Sequence, residues 1–186
     1  MTIPTDLDRR FRDSAARSGL LDAAYDVIDS ELGPLLAAVT DHGLARISYD
    51  PEPERELDVL ARVAGPRILR APRALDETRR ELDAYFAGKR TVFDLELDLR
   101  GVSGFTLGVL EELAKVPYGR TATYRELAER AGNPRAARAV GMVMNRNPIP
   151  IVLPCHRIVG SSGALVGYGG GLERKEKLLR LEGALL

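Results

Sequence analysis

The chain is poor in the residues that staple small proteins or seat them in membranes. It has no tryptophan, one cysteine and two histidines in 186 residues, with aromatics at 5%. A single cysteine forms no intramolecular disulfide and builds no thiolate-rich metal site. No run of about 18 apolar residues occurs, so no membrane span is expected. The stretch Met1-Thr2-Ile3-Pro4-Thr5-Asp6 lacks the basic-then-apolar order of a signal peptide. With one cysteine and no targeting segment, the expected location is the cytoplasm. No internal repeat or low-complexity tract is visible.

What is present fits one large domain or two small ones, with 45% apolar residues to fill a core. Lys+Arg and Asp+Glu balance at 27 each, but unevenly along the chain. Residues 1–100 hold 15 basic and 20 acidic residues; residues 101–186 hold 12 and 7. Seven arginines (120, 125, 130, 135, 138, 146 and 157) lie within 118–157, against Glu126 and Glu129. That excess points to a polyanion partner for the second half, or to an arginine-rich solvated surface; charge alone does not choose.

Periodicity predicts an amphipathic helix over 5–18, with Leu7, Phe11 and Ala15 inward and a capping box at Thr5-Asp6-Leu7-Asp8. Strands are expected over 24–29, 34–40 and 44–49, the last two joined by the hairpin turn Asp41-His42-Gly43, which leaves His42 a plain turn residue. After a polar break at 51–56, Leu57, Leu60 and Ala64 suggest a helix that Gly65-Pro66 stops. A short strand at 68–71 and a helix over 73–87 follow, the helix closed by Gly88. Phe93, Leu95, Leu97 and Leu99 alternate with Asp94, Glu96 and Asp98, the clearest strand pattern in the chain. Residues 100–104 form the natural boundary, giving domains 1–100 and 101–186. The first reads as a small α+β domain.

The second half opens with a helix over 105–115, with Phe105, Val109 and Leu113 inward. Thr123-Tyr124-Arg125-Glu126 is a capping box for the next helix. Gly132 stops that helix, and Asn133-Pro134 is expected to start another at once, with Asn133 as N-cap. Two helices joined by so short a turn form a helix-turn-helix pattern. The second helix exposes small residues around arginine, suited to close approach and phosphate or base contact, or to tight core packing. A final helix is expected over 172–182, closed by Gly183 as C-cap.

The lone cysteine stands in Pro154-Cys155-His156-Arg157. Free cysteines are often merely buried. Here a histidine and an arginine follow it, and Pro148, Pro150 and Pro154 stiffen the approach. Cationic neighbours stabilise a thiolate, and thiolate is the nucleophile. Gly167-Tyr168-Gly169-Gly170-Gly171 lacks the Lys-Ser/Thr of a phosphate-binding loop and is not read as a nucleotide site.

Taken together, these segments resemble the O6-alkylguanine-DNA alkyltransferases, also called methylated-DNA–protein-cysteine S-methyltransferases. The resemblance runs from about 105 to 183. It includes Pro117-Tyr-Gly-Arg-Thr-Ala-Thr-Tyr124, Gly132-Asn-Pro-Arg-Ala-Ala-Arg-Ala-Val-Gly141, Asn147-Pro-Ile-Pro150, the Pro154-Cys-His-Arg157 box, Gly167-Tyr-Gly-Gly-Gly171, Lys175-Glu176 and Leu181-Glu182-Gly183. The first hundred residues resemble the family's variable N-terminal domain in strand order only. The resemblance implies an α+β fold: a small ribonuclease H-like domain, then a mostly helical, winged-helix-like domain carrying the helix-turn-helix.

It also implies a reaction. The protein takes an alkyl group from O6 of guanine in DNA, and less readily from O4 of thymine, onto its own Cys155, once per molecule and without a cofactor. His156 would act as base through a water, oriented by Glu182. Asn147 would shape the turn behind the site, and Tyr124 would donate toward the departing base. Arg138 would fill the space left by the extruded nucleotide. Ala136, Ala137 and Ala139 would allow close approach to the minor groove, with Arg135 and Ser161 also on the DNA side. Met144, Pro150, Tyr168 and Gly169 would line the pocket. The implied partner is double-stranded DNA, bound by a monomer.

The chain departs from the family pattern in places. Many bacterial members have tryptophan near the position of Leu110. Gly169 stands where some relatives have serine. Zinc in the N-terminal domain is not expected, since only His42 is available outside the site. Relatives with tryptophan at the cysteine position bind lesions without repair, a reading that Cys155 opposes. The competing readings are a lesion-binding protein, a helix-turn-helix regulator with a redox-sensitive cysteine, and a cysteine hydrolase. Adjacent Cys and His without an oxyanion-hole motif weigh against the last.

Overall fold

The computed structural model describes residues 5–49 and 53–185. The chain divides into two compact units, Met1–Gly101 and Val102–Leu186. In the first, α1 (Thr5–Arg17) precedes three antiparallel strands: β1 (Ala23–Ile28), β2 (Leu35–Thr40) and β3 (Gly43–Ser48). Next come α2 (Pro53–Val63), β4 (Ile68–Arg70), a 3-10 turn (Pro72–Leu75) and α3 (Asp76–Phe86). The sheet order is β3-β2-β1-β4, with β4 parallel to β1.

Four consecutive residues of β2, Leu35 to Ala38, are buried, so its apolar residues run together instead of alternating. Leu60 of α2 packs with Ala23 and Ala38, flanked by Tyr25, Ala64 and Ile68. The buried Leu75, at the end of the 3-10 turn, belongs to the core with Leu82 and Tyr85 of α3. Asp26 is buried on β1 and is held by Arg70 Nε at 2.8 Å and Arg79 Nη2 at 2.6 Å.

Two expectations fail here. Leu7 and Phe11 of α1 are 56% and 65% exposed, and of the expected inward face only Ala15 is buried. The side chains of Thr5 and Asp6 in the expected capping box, and residues 51–52, lie outside what is described; the rest of the break expected at 51–56 is instead the first turn of α2. The alternating segment 93–99 is extended but pairs through Leu97 alone, in a bridge to Leu44. Leu44 N donates to Glu96 O at 2.8 Å, and Asp98 N to Leu44 O at 2.9 Å. Phe93, Leu95, Leu97 and Leu99 are half-buried and Asp94 and Glu96 exposed, but Asp98 breaks the alternation by being buried. Phe93 instead tilts onto the Tyr85 ring, with centroids 5.2 Å apart.

The second unit packs α4 (Gly104–Ala114), α5 (Tyr124–Arg130) and α6 (Ala137–Asn145) against one another. Phe105, expected inward on α4, is instead partly exposed, and the helix buries Val109, Leu110 and Leu113. A parallel pair, β5 (Ala122–Thr123) with β6 (Ile158–Val159), ties the start of α5 to the segment after the cysteine box. The capping box at Thr123 is formed, with Glu126 Oε2 accepting from Thr123 N at 2.6 Å. Asn133 does not cap α6. Gly132, at φ +80°, and Asn133 close α5 with a Schellman end, in which Gly132 N donates to Glu129 O and Asn133 N to Ala128 O. Asn133 is thus committed to the preceding helix, residues 133–136 turn once more, and α6 starts at Ala137. No helix among the described residues is long and apolar enough to cross a membrane.

Asp98 is a testable anchor of the first unit. It is buried and accepts from Arg100 Nε, Arg100 Nη2 and Thr40 Oγ1. Arg100 is the main cause that holds its carboxyl well below the usual 3.8. A depressed carboxylate stabilises fully above its ordinary value and loses that contribution as pH falls through the acid range. Asp98→Asn should cost about 1–3 kcal/mol at pH 7, as expected for charged hydrogen bonds. The loss should shrink toward pH 3, as read by urea unfolding at both pH values.

Candidate active site

Cys155 opens a 3-10 turn, Cys155–Arg157, that runs into β6. The approach is set by Asn147, whose Nδ2 donates to Leu153 O at 2.8 Å while its Oδ1 accepts from Ile149 N at 3.0 Å. This clamp closes a turn in which Ile151 adopts φ +77°, an outlying conformation for a β-branched residue, with its side chain fully buried. Cys155 N then donates to Leu153 O at 2.8 Å.

The thiol is only 3% exposed. Burial pushes it up to about 11, against hydrogen bonds from Asn147 and Tyr168 and the charge of Lys175. At neutral pH it rests as a thiol. The expectation that His156 and Arg157 hold it ionised is therefore corrected. His156 is fully buried, and burial drives its pKa below the usual 6.5 despite Glu182, so the ring is neutral. Arg157 turns its guanidinium to Glu182.

Glu182 is the C-cap residue of α7 (Leu172–Leu181). A Schellman end fixes it: Gly183, at φ +69°, donates to Arg180 O at 3.0 Å, and Ala184 N to Leu179 O at 2.8 Å. Glu182 Oε1 lies 2.8 Å from His156 Nε2. A carboxylate only accepts, so Nε2 carries the proton and Nδ1 presents a lone pair. Nδ1 is the one buried side-chain nitrogen or oxygen without a hydrogen-bond partner among the described residues. Arg157 donates from Nε to Glu182 Oε2 and from Nη2 to Oε1, both at 2.9 Å, and Gly119 N reaches Oε2 at 3.3 Å. Arg157 Nη1 also donates to Val116 O at 2.6 Å, and its guanidinium carbon lies 5.8 Å from the Tyr118 ring centre. This places a neutral, oriented imidazole in the residue next to a protonated thiol.

The family models described as "6-O-methylguanine DNA methyltransferase, ribonuclease-like domain" and "6-O-methylguanine DNA methyltransferase, DNA binding domain" match residues 23–99 and 104–184. The methylated-DNA–protein-cysteine methyltransferase of Mycolicibacterium paratuberculosis is 46% identical over 85% of this chain and 91% of its own length. That of Methanosarcina barkeri is 43% identical over 85% and 96%. The chain belongs to the 6-O-methylguanine DNA methyltransferase family. A crystal structure of Mycobacterium tuberculosis OGT in complex with DNA superposes with TM-score 0.76 at 42% identity, over 87% of this chain and 93% of that one. As in these family members, a small mixed-sheet domain precedes a helical one.

Of the expected site residues, Asn147 and Tyr168 hydrogen-bond the thiol and Tyr124 lies close enough to feel its charge. Tyr124, the first residue of α5, is half-buried and donates from its hydroxyl to Val166 O at 3.0 Å. Burial and the nearby Cys155 raise its pKa, which keeps the phenol a donor. Gly141 of α6 faces the same ring, where a Cβ would sit 3.9 Å from it. Met144 and Pro150 are buried, Tyr168 is half-buried, and Gly169 is exposed. Arg135, Arg138 and Ser161 are exposed. Ala136, Ala137 and Ala139 are half-buried at the start of α6.

Sequence reasoning assigned no role to Lys175. It is fully buried on α7 and donates to Ile158 O at 2.5 Å and to Val166 O at 3.0 Å. Burial brings its pKa down to about 8, while Cys155 opposes the drop. The available signal was a lysine at helical spacing with buried leucines, where an inward charge needs a partner.

Lys175→Met should raise the thiol pKa further, since a cation that opposes burial is gone. Alkylation by iodoacetamide at fixed pH should slow about tenfold for each unit of rise, with Cys155 modification followed by mass spectrometry. Stability should fall by about 1–3 kcal/mol as the buried Ile158 carbonyl loses its lysine donor, measured by urea unfolding.

Proposed function

We infer that this chain repairs DNA by moving an alkyl group from O6 of a guanine onto Cys155, irreversibly and once. The observation that carries the reading is the buried thiol followed by a neutral imidazole whose Nε2–H is held by Glu182 and whose Nδ1 is bare. A water bridging the thiol and Nδ1 passes the sulfur proton to His156. The S–C bond forms as the C–O6 bond breaks, and the departing guanine takes a hydrogen bond from Tyr124. Sulfur suits attack on a saturated carbon, and the thioether product needs no second step. Because burial keeps the sulfur protonated, the nucleophile is generated only when His156 can accept its proton.

DNA is the partner, and the finer geometry follows from reach. An O6-alkyl group inside a stacked duplex is inaccessible, so the nucleotide turns out of the helix into a pocket lined by Met144, Pro150, Tyr168 and Gly169. The reading sets α6 in the minor groove, with Ala136, Ala137 and Ala139 allowing close approach, Arg138 in the vacated space, and Arg135 and Ser161 toward the backbone. A monomer in the cytoplasm, where a lone thiol stays reduced, suits this work. Neither a lesion-binding protein nor a regulator has a use for the Cys155, His156 and Glu182 arrangement.

Mixing the protein with a duplex bearing O6-methylguanine should place one methyl per chain on Cys155, by intact mass and peptide map, and none on Cys155→Ala. Turnover beyond one equivalent would sink the single-use reading. The transfer rate should fall only below pH 6.5, because His156 is neutral above it and protonates below. Arg138→Ala should slow transfer from duplex DNA while reaction with free O6-methylguanine base is little changed; equal loss on both would remove its place in the duplex. Affinity for DNA should fall as salt rises.

A further inference from the structure

We propose that Arg157 is a positioning residue for the transfer: its two-pronged grip keeps Glu182 ionised and thereby fixes His156 in the tautomer whose Nδ1 is the base. This inference rests on the reading of His156 as base.

Glu182 has two reasons to take up a proton. Its carboxylate is buried, which disfavours charge. It also caps the C-terminus of α7, where the helix carbonyls add negative potential. A protonated Glu182 would donate to His156 Nε2, move the ring proton to Nδ1, and leave no lone pair for the thiol proton.

The groups around Glu182 come from three elements. His156 and Arg157 face it from the turn after Cys155, and the Gly119 amide and Tyr118 ring from the segment after α4. Lys175, on α7 itself, acts with Arg157 to hold His156 down. Arg157 is a full positive charge in hydrogen-bond contact with both carboxylate oxygens. Its third contact, to Val116 O, holds the guanidinium plane in place. The fork geometry is specific to arginine; an ammonium meets a carboxylate as a point charge.

The test is the pH profile of single-turnover transfer for wild type, Arg157→Gln, Arg157→Lys and Glu182→Gln, with folding checked by circular dichroism. In Arg157→Gln the active form requires a buried carboxylate without its cation, so the acid limb should move to higher pH. Transfer at pH 6 should fall by about 10²-fold, the scale of a lost general base, with most of the rate restored at pH 9. Arg157→Lys should move the limb less. Nitrogen chemical shifts of His156 at pH 6 should show a neutral ring with Nδ1 protonated and Nε2 bare in Arg157→Gln, and the reverse in wild type; a doubly protonated ring would report only the lost cation and would overturn the proposal. An unmoved limb in either folded variant, or an unchanged tautomer, overturns the proposal. Glu182→Gln separates the two levels: if it transfers at the wild-type rate, the base reading itself fails. If it is slow at every pH while the Arg157 variants keep their limb, only the role of Arg157 falls.

Discussion

The site depends on a buried carboxylate that is never short of donors. Glu182 receives His156 Nε2, two guanidinium nitrogens of Arg157 and the Gly119 amide. A charged group in the interior costs far more than it returns unless each lone pair is met. These contacts settle the ring orientation and tautomer of His156. They bind three stretches distant in sequence, the turn at 117–120, the cysteine box and the end of α7, into one arrangement. Packing and proton chemistry share the same few atoms.

The thiol is tuned in the opposite sense. It is sealed by burial and only partly relieved by Asn147, Tyr168 and Lys175. A sulfur kept protonated is a poor target for adventitious oxidants and electrophiles, which suits a residue usable once. Reactivity is then conditional on proton removal, and the base we infer for it, His156, is the next residue. The positive φ of Ile151 belongs to the same design, because the Asn147 clamp holds that turn and the turn aims Cys155.

Much of this was legible in the residues. The cysteine box, the capping box at Thr123 and the Gly183 helix end are local signals, and each is realised. The errors arose where a residue serves a neighbour that the sequence does not name. Asn133 looks like an N-cap, but its amide finishes α5. The 93–99 alternation looks like a strand, yet its strand pairing among the described residues is one bridge, to Leu44. Leu7 and Phe11 have the spacing of an inward face and remain outside. Arg157 and Lys175 were misread or passed over for the same reason. Their partners lie 25 and 17 residues away, and distance along the chain conceals them.

One helix delivers both charges that the site relies on. Lys175 and Glu182 are seven positions apart, about two turns, so they project from the same side of α7. The helix works as a ruler laid along the cysteine box, with the ammonium at one graduation and the carboxylate at another. The span between the two marks has no slack: one added residue would swing them apart by about 100°. An insertion inside the ruler would take one of the two charges away from the cysteine box, whatever the rest of the helix does.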